Sequence, residues 1–514
     1  MDVRDDKNAQ LDSENSDDLM REEEKLRSIP AIKTPQQKRA LLKLDLLLIP
    51  TLGLFYFLSF LDRSNLGNVR IIGLQKDLRM TDHDFSMALT ITFIPYILIE
   101  LPSNLLVKRI GAGIQIPLIV TIWGLITCLQ GLVTSYQGLL VSRFFLGLVE
   151  GGLYPAIILY LSSFYTRTEM QFRIALFWGT ICIAGAVSGL LTFEIIKLHG
   201  RWGHPGWSWV FLIEGFVTVL FGIIGFFVLP SRIESVWILT EAEKASTASS
   251  ASSSLMLLTS SIEKYPPKST GRQVWEAFKS PHVVLLNVAQ FACAGNTNSL
   301  AYFTPTSKYF LFEFGYSPSA TQLFSVPPFA LAFLFLLGLS YWSDSRQSRG
   351  VACSISAALS IIGFAIFYAS GQEKVRYGSL FLSVPGAYGV GPSLAAWTAD
   401  NSEPHMRKAT AIALGTMVAN SGGLFSIFVL GHKPRYYLPT AINLFLGVLI
   451  IACSVSNMVW LRYAQKQKVA RRNDILQNFN SGKAEPQGTS EQDVAAAQAW
   501  DHLGDQHPDF KYIY

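Results

Sequence analysis

Apolar residues gather in long blocks along almost the whole chain, separated by short polar stretches. A membrane-spanning helix needs about 20 mostly apolar residues. Stretches of that kind lie near 43–62, 84–107, 114–134, 137–163, 172–198 and 208–229, and again near 283–305, 320–341, 350–369, 375–399, 407–430 and 438–464. The pattern predicts an all-α membrane protein of 12 transmembrane helices, in an N-terminal half (43–229) and a C-terminal half (283–464) of six helices each. Between them, the loop 230–282 contains "STASSASSSLMLLTSS", ten Ser or Thr in sixteen residues, which reads as a flexible linker. Polar tails, 1–42 and 465–514, flank the helices, and the first is expected to be disordered.

Orientation follows from Lys and Arg near the span ends, of which 24 fall on the side of both tails and 11 on the other. Positive residues are retained on the cytoplasmic side. Both termini and the linker are therefore expected in the cytoplasm, with the chain in the cell membrane. The short loops taken alone are nearly balanced, so the tails and linker carry most of this bias. Two short basic loops, "VKRIGAG" after span 2 and "SDSRQSRG" after span 8, recur six spans apart, as in transporters built from repeated halves. Lys108 and Arg109 in the first, with Asp344 and Arg346 in the second, are the candidate gating residues.

Composition narrows the function. The 514 residues are 50% hydrophobic, 12% aromatic and 15% charged, which is too apolar for an ordinary soluble enzyme. A net charge of +5, spread between apolar blocks, gives no basic patch for nucleic acid. The five cysteines stand singly with no CxxC pair, the histidines lack zinc spacing, and no Walker A sequence is present. No catalytic constellation, cofactor or metal is called for. The N-terminus has no apolar core to serve as a secretory signal.

Charges inside the spans are then the informative residues, because an ionisable group at membrane depth costs roughly 2.5–3.5 kcal/mol on insertion scales and persists mainly beside a cavity or a partner. In "RFFLGLVEGGLYP", Arg143 and Glu150 are two helical turns apart and share a face with Gly147 and Tyr154. Gly147 and Gly151 form a GxxxG pair that lets another helix approach closely. One reading puts this face on a central cavity; the other has Arg143 at the membrane edge or in a structural pair. At the end of span 1, "FLSFLDRSNLGN" supplies Asp62, Arg63 and Asn65. An arginine there suits bidentate binding of a carboxylate, and a helix-end surface pair is the alternative. Glu100 and Glu214, each beside Pro or Gly, read as structural. In the second half, Asn296, Asn298 and Tyr302 on span 7, with Trp397 and Asn401 at the end of span 10, offer hydrogen bonds and an aromatic wall for a small ligand. Interfacial anchoring is the competing role for Tyr and Trp. "FSVPPF" and "SVPGAYGVGP" break helix periodicity where a transporter has to bend.

The segments "LDRSNLGNVRIIGLQKDL", "ELPSNLLVKRIG", "RFFLGLVEGGLYPAIILYLSSFYTRTEMQFRIALFW", "FSVPPF", "SDSRQSRG" and "NSEPHMRKATAIAL" together give the chain a resemblance, over nearly its full length, to the fungal anion:cation symporters of the major facilitator superfamily, the allantoate permease group. "GHKPRYY" and "LGDQHPDFKYIY" are similar to its nicotinic acid permease branch. The resemblance implies a twelve-helix fold, alternating access and proton-coupled uptake of a small organic anion such as nicotinate or allantoate. From the related animal organic anion and glutamate carriers, Arg63 in "RSNLG" and Arg143, seven before Glu150, inherit carboxylate binding, and Glu150 inherits proton coupling; Asp62, which could keep the Arg63 charge tolerable before substrate arrives, is the second proton-coupling candidate. Asn65, Tyr154, Asn298, Tyr302, Trp397 and Asn401 complete the expected binding set. The span 2 histidine of those carriers falls here near Leu89, so a relay through that position is not expected. The chain departs from the family in the Ser-rich run Ser246–Ser261 and in lacking the acidic residue of the superfamily signature after span 2. The expected partners are the anion, protons and the bilayer, with the chain a monomer. Export of an acidic secondary metabolite and non-transporting nutrient sensing are the alternative functions. A biosynthetic gene neighbourhood would favour the first, and measurable flux would exclude the second.

Overall fold

A computed structural model describes residues 35–166, 169–232, 235–244, 270–306, 318–403, 405–429, 437–472, 504–508 and 510–514. The expectations for residues 1–34 and for the Ser-rich run 246–261 lie outside the described residues. The first six spans are α1 (Pro35–Val69), α2 (Asp82–Ile110), α3 (Ala112–Gln130), α4 (Tyr136–Glu150) with α5 (Leu153–Phe164), α6 (Met170–Trp178) with α7 (Thr180–Ile195), and α8 (Gly206–Val228). A short helix, α9 (Thr270–Lys279), precedes α10 (Pro281–Thr306), α11 (Pro318–Arg346), α12 (Arg349–Ala369), α13 (Glu373–Asp400), α14 (His405–Val429) and α15 (Tyr437–Ala470).

Among the described residues, nine helical stretches are long and apolar enough to cross a membrane. The other three long helices, α10, α13 and α14, have 26, 28 and 25 residues and so have the length. α10 and α13 are the less apolar ones because they carry "NTNS" and "SVPGAYGVGPS", and α14 opens with the polar run "HMRK". Polar residues in a spanning helix are tolerated where they face protein or a cavity. All twelve expected spans thus coincide with helix, though spans 4 and 5 are each interrupted near Gly residues.

Helix starts follow local chemistry. Thr81 and Asp84 form a reciprocal capping box at the start of α2, and the Ser135 hydroxyl accepts the Gly138 N–H at the start of α4. Packing repeats with a six-span offset. In the first bundle α1 packs on α7, α2 on α4 and α3 on α8; in the second, α10 packs on α14, α11 on α13 and α12 on α15. The two most extensive contacts between the bundles, α2 with α14 and α11 with α7, are related by the same offset.

The GxxxG expectation has a concrete partner in α2. A Cβ on Gly147 would fall on the Thr92 carbonyl oxygen, and one on Gly151 would come within 2.7 Å of Ile99. Only hydrogen at these positions allows the backbones this separation.

Polar contacts between elements distant in sequence gather on the face that holds the start of α1, the linker and the end of α15, here called the terminal face. Lys43 pairs with Glu243 of the linker at 2.8 Å, and Arg173 pairs with Asp45 at 2.6 Å. The Lys43 ammonium, helped by the Thr240 N–H, holds the Glu243 carboxyl below its ordinary range. The bundles meet there directly. Asn104 Nδ2 donates to the Ala409 carbonyl at 2.6 Å, Gln171 Nε2 to Ser393 Oγ at 2.6 Å, and the Phe172 N–H to Asp344 Oδ2 at 2.7 Å.

Candidate functional site

Helical spacing brings Tyr56, Phe60 and Arg63 of α1 onto one face, and that face looks into a cavity between the bundles, with about 800 Å³ of empty space that includes volume open to solvent. Its first-bundle wall is aromatic. Tyr56, Tyr154 and Trp178 pack against one another, tilted or edge-on, with ring centroids 5.4 to 5.8 Å apart. The opposite wall is more polar and comes from α10, α13 and α14, including Gln290, Asn298, Tyr388 and Asn420.

Arg63 is the cation of this cavity, with a third of its side chain exposed toward it. Its Nε and Nη2 both reach Glu150 Oε1, at 3.0 and 2.9 Å, and its guanidinium lies 4.7 Å from the centre of the Tyr96 ring. Ser59 Oγ donates to the same Oε1. Glu150 is fully buried, and its Oε2 has no hydrogen-bond partner among the described residues. One carboxylate oxygen is therefore crowded with donors while the other is buried and accepts none among the described residues. Behind the aromatic wall, Glu100 is buried and accepts from Asn420 Nδ2 at 2.6 Å, a bond that crosses between the bundles at cavity depth.

The structure sorts the residues expected from sequence. Arg63, Tyr154 and Asn298 line the cavity, and Glu150 joins them through Arg63. Arg143 shares the buried face of α4 with Gly147 and Glu150, yet it lies away from the cavity, with its guanidinium 5.6 Å from the Phe211 ring. Asp62 points into the first bundle, where Oδ2 accepts from Trp123 Nε1 at 2.6 Å and Thr127 Oγ1 at 3.1 Å. Asn65 donates to Glu214 within the same bundle. Trp397 and Asn401 are buried on the terminal face and bond Ile513 instead of lining the cavity. Tyr302 lies on α10, its side chain outside the described residues.

Of the gating candidates, Asp344 sits at the bundle interface, held by the Phe172 N–H and by Arg349. Arg109 and Arg346 are exposed; Lys108 is on α2, its side chain outside the described residues. The buried arginine of the "SDSRQSRG" loop is Arg349, which contacts Asp344, Asp400 and Gln171. Sequence reasoning missed it, along with Tyr56, Tyr96, Trp178, Tyr388 and Asn420. The signal available for Arg349 was the buried acid in "WTADN" at the end of α13, which needs a cation.

Cavity size is set in part by a glycine. A Cβ on Gly391 would come within 2.6 Å of the Trp178 ring. Gly391→Ala is expected to push Trp178 into the cavity and lower transport of the largest substrates by roughly tenfold, sparing the smallest. Competition by a size series of carboxylates checks this, and uniform loss across the series would remove Gly391 as a size determinant.

Comparisons with known proteins identify the family and the fold. The family model for the Major Facilitator Superfamily matches residues 52–427. The chain is 28% identical over 437 residues to the uncharacterized transporter C1002.16c of Schizosaccharomyces pombe, covering 83% of this chain and 84% of the relative. It is 28% identical over 496 residues to the high-affinity nicotinic acid transporter of Saccharomyces cerevisiae, covering 95% of this chain and 86% of that one. Among solved structures, the proton:xylose symporter XylE superposes with a TM-score of 0.63 at 14% identity, over 79% of this chain and 94% of XylE.

Proposed function

The chain belongs to the major facilitator superfamily of transporters, and from that premise we propose that it is a proton-coupled symporter of a small organic anion. In this reading it works as a monomer by alternating access of its two halves, 43–229 and 283–464, in the plasma membrane with both termini cytoplasmic. The observation that carries the proposal is Arg63 facing an aromatic-walled cavity with the buried Glu150 as its counter-ion. Arginine presents a planar fork that matches a carboxylate, and charge-assisted bonds of this kind are the strong ones. Glu150 and a substrate carboxylate compete for that fork. A proton on Glu150 Oε2 neutralises the residue and loosens its hold on Arg63, so the anion and the proton bind together. Once the cavity opens to the cytoplasm, loss of the proton restores the Arg63–Glu150 pair and expels the anion.

The aromatic wall favours a planar acid, and the nicotinic acid transporter among the relatives makes nicotinate the first probe. In this reading the terminal-face contacts through Asp344 form the cytoplasmic gate, with the exposed Arg109 and Arg346 flanking it and Lys108 next to Arg109 in the chain.

Uptake of labelled carboxylates by a transporter-deficient yeast expressing this chain, at pH 5 and at pH 7.5, tests the proposal. Accumulation of at least one carboxylate at acid pH, abolished by a protonophore, is expected. Uptake indifferent to both pH and protonophore would sink the proton coupling.

A further inference from the structure

Beyond the cavity, the most densely bonded feature of the terminal face is the segment Gly504–Tyr514. Asp505 pairs with Arg407 at the start of α14, and Arg407 also holds Glu276 of α9 at 2.7 Å. Lys468 of α15 is buried beneath the segment, and its ammonium donates to the carbonyls of Asp505 at 2.9 Å and Phe510 at 2.8 Å. The same ammonium lies 3.8 Å from the centre of the Tyr512 ring. Phe510 is fully buried. At the far end Asn401 reads both backbone groups of Ile513, donating to its carbonyl at 2.7 Å and accepting its N–H at 2.9 Å, while Trp397 Nε1 donates to that carbonyl at 2.8 Å. A polar tail with no binding role would not bury an aspartate, a lysine and a phenylalanine against the bundle, since each polar group loses water on docking.

The places it grips are telling. Asn401 follows Asp400, which pairs with Arg349 at 3.1 Å, and Arg407 lies two residues before Ala409, whose carbonyl accepts from Asn104 of the other bundle. The same two helices, α13 and α14, line the cavity farther along with Tyr388 and Asn420. We propose that Gly504–Tyr514 is an intramolecular strap, bound in a site formed by α9, α13, α14 and α15, that holds the terminal-face gate closed until it is released. Docked, it ties the ends of α13, α14 and α15 into one rigid block. Undocked, those ends move independently and the contacts between bundles at Gln171, Asp344 and Ala409 part more often.

Amide hydrogen exchange by mass spectrometry on the purified full-length protein reads this without any substrate, so its outcome is independent of whether the anion has been identified correctly. Phe510→Ala, and a chain shortened to end at Leu503, are expected to exchange roughly tenfold faster at the gate, in peptides covering Gln171–Arg173 and Asp344–Arg349, which the segment does not touch. Peptides at the opposite ends of the helices, around Thr81–Phe85, are expected to be unchanged. A second variant guards against simple misfolding: Gln465→Cys with Tyr512→Cys, whose parent residues touch through the Tyr512 N–H and Gln465 Oε1 at 3.3 Å. Oxidation is expected to cross-link the pair and slow exchange at the same gate peptides, and reductant to reverse it. Failure of the pair to cross-link, or cross-linking that leaves gate exchange unaltered, overturns the proposal. So does faster exchange confined to the peptides under the strap.

Discussion

Arg63→Ala is expected to lower anion uptake by roughly 100-fold, about 3 kcal/mol, with the protein still reaching the membrane at reduced level. Two losses combine. The substrate carboxylate loses its fork, and Glu150 is left fully buried without its cation. Breaking a buried pair by removing one partner is far more damaging than replacing both. Arg63→Ala with Glu150→Gln is therefore expected to recover membrane level while remaining inactive, a non-additivity that separates stability from binding. Arg63→Lys keeps the charge but loses the planar fork, and an intermediate loss is expected. Glu150→Gln alone mimics the protonated state, so it is expected to retain anion exchange across the membrane while losing the dependence of net uptake on pH. Uptake kinetics at two pH values, normalised to surface protein, check all four variants. If Arg63→Ala transports at the parent rate with ordinary affinity, the cavity arginine is not the anion site.

The spans, and Arg63 and Glu150 as single residues, were legible in the sequence because both obey rules that act locally, hydrocarbon length and the cost of a charge within it, but their pairing was not: Asp62 stood beside Arg63 in sequence and Arg143 shared a face with Glu150. The same rules could not separate Arg143 from Glu150. Seven residues return a helix to nearly the same face but advance it by about 10 Å. At one depth that face meets Arg63 and the cavity; at the other it meets Phe211 inside the first bundle. Which neighbour stands at each depth is a property of the packing. Trp397 and Asn401 were misread for a related reason. A polar and aromatic pair at a helix end signals a buried partner, and the partner proved to be Ile513, more than a hundred residues away, rather than a ligand. In "SDSRQSRG" the decisive feature is the backbone. Gln347 adopts a left-handed φ of 51°, turning the chain so that Arg346 ends one helix in solvent while Arg349 begins the next inside the protein.

Arg349→Leu is expected to cost about 3–5 kcal/mol, a large share of the 5–15 kcal/mol that typically stabilises a folded domain. The arginine is fully buried between two carboxylates, Asp344 and Asp400, and also donates to Gln171 Oε1 at 2.9 Å. Leucine matches much of its bulk but leaves both acids inside the protein with no cation between them. Low membrane yield and a clearly lowered Tm are the expected readouts, in scans of detergent-solubilised protein. Adding Asp400→Asn removes one of the stranded charges and is expected to restore part of the loss. Arg346→Leu, three residues earlier in the same loop, lies in solvent and is expected to shift stability by less than about 0.5 kcal/mol. Gln171→Leu separates gating from stability. It keeps the Arg349 ion pairs but cuts the contacts from α6 to Ser393, Ser343 and Arg349. The fold is expected to survive that change while the terminal face opens more readily, seen as faster labelling of a cysteine placed at Ala409. Equal tolerance of leucine at 346 and 349 would show that the buried network does not hold the two helices, and with it the assignment of the gate to the Asp344 contacts would fall.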